Sequence, residues 1–171
     1  MLGAILAIGS AIYSIYETEK TADENADRIE AAAQANAELD EYNATVAEDT
    51  IAPVENQYQV QLNKLVTEGK SIRSSQTASF AASGIDVNSG TASTLKDKTQ
   101  EQIDIDAEIL LENQKSKVDE IRSEAERYRL AAKKGLLLAD YEAENVKSNA
   151  DAEAATIAAN TISKLGSYFD N

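Results

Sequence analysis

The sequence of 171 residues contains no cysteine, no histidine and no tryptophan, and it has a single proline. Without cysteine and histidine, the chain cannot build a thiol nucleophile, a Ser-His-Asp triad, a structural zinc site or an imidazole acid/base catalyst. No disulfide holds the fold together. A metal site would have to use carboxylates and carbonyls, which are ligands for Mg²⁺ or Ca²⁺. The sequence therefore predicts a protein that is not an enzyme, with no catalytic residues, no cofactor and no metal site.

Basic residues are also scarce, because 16 Lys and Arg stand against 30 Asp and Glu, for a net charge of −14. Residues 1–80 contain 5 basic and 13 acidic residues, and the remaining residues contain 11 and 17. Neither half therefore has the positive charge of a nucleic-acid-binding module, and phosphate backbone is repelled at long range. We expect DNA to be at most passing cargo that is not specifically bound.

Small and aliphatic residues replace aromatic ones, which make up 5% of the chain against 43% apolar residues in total. Such residues suit helix-on-helix packing, and the near absence of proline permits long uninterrupted helices. The stretch "QIDIDAEI" at residues 102–109 alternates apolar and acidic residues as a strand does, but helical patterns flank it on both sides. The sequence predicts an all-α fold.

The first sixteen residues carry no charged side chain before Glu17. Two stripes at helical spacing run along them, an apolar one (Ile5, Ile8, Ile12, Ile15) and a small-residue one (Gly3, Ala7, Ala11, Ser14). A helix of this length spans roughly 24 Å, which is short of a bilayer core of about 30 Å. The flanking residues do not match a secretory signal peptide. Residues 2–16 are therefore predicted to contact a membrane or an oligomer neighbour. Three interpretations stay open: a buried or oligomer-packing helix end, conditional membrane insertion, and a constitutive single-span anchor.

Residues 17–80 are predicted to form the first arm of a helical hairpin. The arm begins as a polar helix with a narrow small-residue face and is expected to kink near Pro53, with Asp49 or Thr50 as the N-cap of the restarted helix. Beyond the kink, apolar and small residues follow spacings of 4 and 3: Tyr58, Leu62, Leu65, Gly69, Ile72 and Gln76.

A hairpin tip is predicted at residues 81–93, the stretch "AASGIDVNSGTAS". If Gly84 is the left-handed C′ residue of the first arm, then Phe80 and Ile85 form the hydrophobic pair that accompanies such a cap. The following turn residues suit positive φ and local side-chain bonds, and Ser89, Thr91 or Thr94 are candidate caps of the next helix. The tip residues singled out are Gly84, Ile85, Asp86, Asn88, Ser89 and Gly90.

Residues 94–165 are predicted to form the second arm, in a single elongated helical domain that covers residues 1–171. Its seam follows heptad spacing and then shifts register: Ala107, Leu111, Gln114, Val118, Ile121, Ala125, Tyr128, Ala132, Gly135 and Ala139, then Ala143, Val146, Ala150, Ala154 and Ile157. Coiled-coil-like packing follows, but either arm can pair within one chain or between chains. Because large apolar residues are few on the seams, we expect a homo-oligomer.

The second arm also carries a basic segment, "RYRLAAKKGLLLAD", with Arg127, Arg129, Lys133 and Lys134 beside three leucines. One interpretation is an ordinary helix face whose cations balance neighbouring glutamates. The other is contact with lipid headgroups, DNA phosphate or an acidic partner arm.

The stretches "SIRSSQTASFAASGIDVNSGTA", "QEQIDIDAEIL" and "AERYRLAA", preceded by a small-residue N-terminus, resemble the internal virion protein B family, the smallest ejection proteins of short-tailed phages. The residues that carry the resemblance are Ile72, Arg73, Ala82, Ser83, Gly84, Ile85, Asp86, Val87, Ser89 and Gly90. The resemblance implies a protein of the virion interior that meets the portal and other internal core proteins. At infection it would be ejected into the host cell envelope, where it helps to form a channel for DNA. The alternative is a purely structural coiled-coil connector, scaffold or tail component of a virion.

Overall fold

Three helices make up the computed structural model, which describes residues 2–169 and the side chains of residues 6–166. They are α1 (Leu2–Asp49), α2 (Ile51–Ala82) and α3 (Gly90–Phe169). The described residues contain no β-strand. Helices α1 and α2 form the first arm and pack against α3 within one chain, which confirms the predicted all-α helical hairpin. The tip between α2 and α3 is shorter than the predicted 81–93.

The break between α1 and α2 lies at Thr50, beside the predicted kink at Pro53. Proline has no N–H to donate to the Asp49 carbonyl, and its ring disfavours a helix at this point. The expected N-cap does not form, because Thr50 keeps helical backbone angles and its hydroxyl donates to the Ala47 carbonyl at 2.6 Å. Proline therefore interrupts the arm without reversing its direction.

Helix α2 ends in a Schellman motif centred on Gly84, whose φ is +71°. The Ile85 N–H donates to the Phe80 carbonyl at 3.0 Å, and the Gly84 N–H donates to the Ala81 carbonyl at 3.1 Å. These are the two bonds of this cap, and they match the positions that the sequence predicts for Phe80, Gly84 and Ile85. At the other side of the tip, Thr94 does not cap α3, because its hydroxyl donates to the Gly90 carbonyl within the helix.

The core of the hairpin is made of alanine. Among the described residues, all but two of the buried apolar side chains are alanine, and the exceptions are Val118 and Ile121. Most of the predicted seam of α3 is buried or half-buried, but Leu111 and Gly135 are exposed. On α2, Ile72 is also exposed, and the neighbouring Arg73 is less exposed than Ile72. These three positions are isolated exceptions to the predicted spacing, since the seam residue that follows each of them is again buried or half-buried. Gly135 and Ile72 nevertheless line grooves between the two helices that they join.

The chain consists of two compact units. The terminal unit comprises Met1–Tyr42 and Tyr128–Asn171, and the tip unit comprises Asn43–Arg127. The chain exposes 12114 Å² of surface. A compact monomer of 18.4 kDa is expected to expose about 8,200 Å². The hairpin therefore leaves far more surface in contact with solvent than a globular chain of its size.

Candidate interaction surfaces

The small-residue stripe of the N-terminal segment faces the inside of the terminal unit. Ala11 is buried and Ala7 is half-buried, whereas Ser14 is exposed at a shallow groove that Ala22 and Val146 also line. The burial of Gly3 lies outside what the structure describes. Small side chains let the two helix backbones approach closely, so this stripe already serves the packing of α1 on α3.

The apolar stripe of the same segment faces outward. Ile8 and Ile12 are 41% and 63% exposed, whereas Ile15 is half-buried at the edge of the seam. The side chain of Ile5 lies outside the described residues. Leu6, Tyr13 and Tyr16 widen the exposed face, since all three are more than half exposed. The start of α1 thus presents a broad apolar surface that the hairpin does not cover.

We find no helix, within residues 2–169, with a stretch that is long and apolar enough to cross a membrane.

At the hairpin tip, Asp86 organises the turn. Its carboxylate accepts a hydrogen bond from the Asn88 N–H at 3.0 Å, and its carbonyl accepts one from the Ser89 N–H at 3.3 Å. The bond from Asn88, the contact with the Ser89 side chain and the charge of Lys96 together hold the pKa of Asp86 below its usual value. The Lys96 ammonium also donates to the Val87 carbonyl at 2.9 Å, so the turn is tied to the first turns of α3.

Gly90 completes the tip with a φ of +55°, in the left-handed region that favours glycine. Ile85 is half exposed, and Asn88 and Ser89 point to solvent. The predicted tip residues therefore lie together in one connected turn. Their side-chain bonds account for the shape of the turn itself and leave an apolar side chain at its surface.

Helices α2 and α3 are tightly packed against each other at Gly69. A Cβ atom built on Gly69 would lie 2.9 Å from Cγ1 of Ile103 and closer still to its Cδ1 atom. Gly69 is buried, so only hydrogen fits at this point of the seam. The sequence placed Gly69 on the seam by spacing, but nothing in the pattern indicated that Ile103 would press against it.

Polar side chains bridge α2 and α3 closer to the tip. The Arg73 guanidinium donates to Oε1 of Gln100 at 2.6 Å, and the Gln76 amide donates to Oγ1 of Thr99 at 2.9 Å. Nε of Arg73 and Oε1 of Gln76 are buried without a hydrogen-bond partner in the protein. Directional bonds of this kind fix one register of the two helices, because a shift by one turn would leave further buried polar groups unpaired.

The sequence reasoning missed this polar bridge. Arg73 stood out only through the family resemblance, and Gln100 and Thr99 not at all. A usable signal existed, since Arg73 lies four residues after Gly69 and three before Gln76, at the spacing of a helix face. Ile72 beside it continues the apolar spacing from Leu65 and Gly69, so spacing alone favours Ile72.

The cations of the basic segment of α3 point to different sides of the helix. Nε of Arg129 lies 3.5 Å from Oε2 of Glu41, an ion pair between α1 and α3 that is exposed enough to contribute little stability. Lys133 and Leu136 line the same groove as Glu41. Lys134 is exposed on another side of the helix, and Arg127, in the tip unit, is also exposed. The four cations thus do not form one site.

Acidic residues do not gather into a metal centre in the part of the chain that the structure describes, since no group of three or more carboxylates is placed to hold an ion. The surfaces that stand out are the apolar start of α1, the hairpin tip and the exposed faces of α3. Comparisons with family models, with curated proteins and with solved structures found no match to this chain.

Proposed function

We propose that this chain is a phage internal virion core protein that is ejected at infection and helps to form an envelope-spanning channel for the genome. In the virion it would form a homo-oligomer against the portal and other internal core proteins. After ejection it would act in the host cell envelope, with DNA as passing cargo. The resemblance of residues 71–92 and their neighbours to ejection proteins suggests this role, and the surface of the hairpin supports it.

The observation that carries the proposal is the surface that the hairpin leaves uncovered. The exposed area exceeds that expected for a compact monomer of this size by about 3,900 Å². Large apolar side chains contribute to it along all three helices, whereas alanine fills the core. Standard protein interfaces bury about 800 Å² per partner. The excess is therefore large enough for contacts with several neighbouring subunits.

The start of α1 supports the membrane part of the proposal. Leu6, Ile12, Tyr13 and Tyr16 are exposed without a charged side chain among them. Aromatic and aliphatic side chains of this kind partition into the interface of a bilayer, and a segment too short to span alone can line a channel as part of an oligomer. The net charge of −14 would keep such a channel wall from trapping DNA.

A dye-release assay on liposomes tests the membrane function. We expect the oligomer to release dye, and we expect Ile8→Asn combined with Ile12→Asn to abolish release, because both side chains are exposed on the apolar stripe. The matched control is Val60→Asn with Ile109→Asn, which removes two exposed apolar residues from the tip unit. The proposal would be contradicted if neither the wild type nor the control released dye. It would also be contradicted if the wild type, the control and the Ile8→Asn, Ile12→Asn variant released dye equally.

The second candidate is a structural coiled-coil connector, scaffold or tail component of a virion. It is favoured by the burial of Ala11 and the half-burial of Ala7, which integrate the N-terminal segment into the hairpin seam. This role predicts that the Ile8→Asn, Ile12→Asn variant impairs particle assembly without a separate defect in genome delivery. Imaging residues 2–16 in the assembled particle distinguishes the two: a ring on a portal-proximal core favours ejection, and a permanent place in an external interface favours the structural role.

A further inference from the structure

An exposed stripe runs along the back of α3 in the terminal unit. It consists of Leu130, Leu137 and Tyr141, which are 53%, 67% and 64% exposed. Each of them lies two residues before a buried alanine of the seam (Ala132, Ala139 and Ala143). Two residues of α-helix turn by about 200°, so the stripe points directly away from α1. We call these three residues together with Lys134 the α3 edge stripe.

Lys134 gives the α3 edge stripe a positive charge. It lies four residues after Leu130 and three before Leu137, which places it on the same face. Unlike Arg129, it makes no ion pair with another described residue. A lysine between leucines in a chain of net charge −14 is a site at which an acidic helix would be attracted.

The opposite edge of the terminal unit carries a complementary surface on α1. Ala35 and Leu39 lie two residues before and after the half-buried Ala37, so both point away from α3. Tyr42 lies three residues beyond Leu39, and these two large side chains are 65% and 57% exposed. Ala31 shares this face, and Glu38 lies at its border, where it also lines the groove between α1 and α3. We call these five residues the α1 edge stripe: Ala31, Ala35, Glu38, Leu39 and Tyr42.

Charge and size both match between the two stripes. Residues 17–42 contain 9 acidic and 2 basic residues, whereas the α3 edge stripe contains Lys134 and no acidic residue. The small Ala31 and Ala35 leave room on α1 where α3 offers the larger Leu137 and Tyr141. Large side chains that face small ones allow helices to interdigitate.

The two stripes also lie at the same level of the terminal unit. The ion pair between Glu41 and Arg129 shows which residues of the antiparallel helices lie level with each other. Ala33 lines one groove together with Gly135 and Ala139, which agrees with the same alignment. Leu130 is therefore level with Leu39 and Tyr42, and Leu137 is level with residues 31–35. A neighbour that docks sideways brings its α1 edge stripe opposite the α3 edge stripe without a shift along the helix axis.

We propose that the α3 edge stripe of one copy packs against the α1 edge stripe of a second copy. The contact is heterologous, because it joins two different surfaces, and repeated contacts of this kind form a ring when they involve no axial rise. Each hairpin would contribute both edges, so that α1 and α3 alternate around the ring. The inference rests on the homo-oligomeric part of the proposed function and needs neither the virion nor the membrane.

Cysteine cross-linking tests this contact cleanly, because the chain has no cysteine of its own. In Leu39→Cys with Leu130→Cys, the two thiols of one chain lie on opposite edges and are too far apart to form a disulfide with each other. We expect mild oxidation to give a ladder of covalent oligomers that ends at the ring size. Leu39→Cys with Ser148→Cys is the control and should give no ladder, because Ser148 is exposed on the same face of α3 but lies about 27 Å from Leu130 along the axis.

A mixture of the two single-cysteine proteins identifies the contact as heterologous. Leu39→Cys and Leu130→Cys should cross-link with each other and neither with itself. Dominant cross-linking of Leu39→Cys with itself, or equal ladders from the test and control pairs, would overturn the inference while leaving homo-oligomerisation intact. A wild-type chain that sediments as a monomer would overturn both; dye release would then still test the membrane function separately.

Charge reversal provides a second measurement that does not depend on thiols. Lys134→Glu should weaken self-association in sedimentation velocity, and Lys134→Glu with Glu38→Lys should restore it. Unchanged association in Lys134→Glu would count against this interface. Because both side chains are exposed, neither substitution is expected to unfold the hairpin.

Discussion

The tip unit and the terminal unit join their helices in different ways. In the tip unit, α2 and α3 meet at the close approach of Gly69 to Ile103 and through the hydrogen bonds of Arg73 and Gln76. In the terminal unit, α1 and α3 meet through alanines, with Glu41 and Arg129 as an exposed ion pair. The first kind of seam specifies a register by shape and direction, and the second by little more than the fit of small side chains.

This difference shows how one chain can combine a fixed hairpin with an adaptable surface. Alanine buries little apolar area, so the terminal unit gains little stability from its own seam and leaves its large side chains outside. Polar and close-packed contacts near the tip keep the two arms paired in the correct alignment. Enlarging a buried alanine, adding a methyl group at Gly69 and protonating Asp86 test the two units separately.

The largest effect is expected from Ala143→Leu in the terminal unit. Ala143 is 1% exposed, and a larger side chain there must push α1 and α3 apart, which costs about 2–3 kcal/mol of unfolding free energy. Urea denaturation followed by circular dichroism measures the change. Ala152→Leu, at an exposed position of the same helix, is the control and should change stability by less than about 0.5 kcal/mol. Equal stability of both variants would mean that the alanine seam is not closely packed.

Gly69→Ala should have a smaller effect, and it should differ in sign from Gly135→Ala. A methyl group at Gly69 meets Ile103, so we expect a loss of about 1–2 kcal/mol, even though alanine favours the helix. A methyl group added at Gly135 would meet no atom within 4 Å, so Gly135→Ala should stabilise the chain by about 0.5–1 kcal/mol. The same unfolding experiment measures both. Stabilisation by Gly69→Ala would show that the two helices of the tip unit can separate freely.

The smallest effect is expected at the tip on acidification. Because the folded tip lowers the pKa of Asp86, its contribution to the turn is present above the ordinary aspartate pKa and is lost as the pH falls through the lowered value. The amide resonance of Asn88 should shift over this range in an NMR titration. In Asp86→Asn the side-chain oxygen still accepts the bond, so this shift should disappear. A shift that persists in the variant would assign the acid transition to another group.

Much of the fold follows from local patterns in the sequence. The long helices, the break beside Pro53 and the Gly84 cap depend on residues that lie within one or two turns of each other, and spacing reveals them. Ala125, Ala132, Ala139 and Ala143 on α3 were likewise found by spacing, and all four are buried. The candidate surfaces were less accessible to such reasoning, because the N-terminal segment offers two competing stripes, and spacing does not say which one faces a partner.

The helices, the break beside Pro53 and the Gly84 cap are encoded locally, because they depend on neighbours along the chain. Helix packing fixes the rest: Ala11 turns inward while Ile12 stays outside, Arg73 is less exposed than Ile72, and Leu137 and Tyr141 point away from α1. These outcomes depend on how closely a second helix approaches. That distance is set by side chains such as Ile103 and Ala143, which lie far along the chain from the residues they meet.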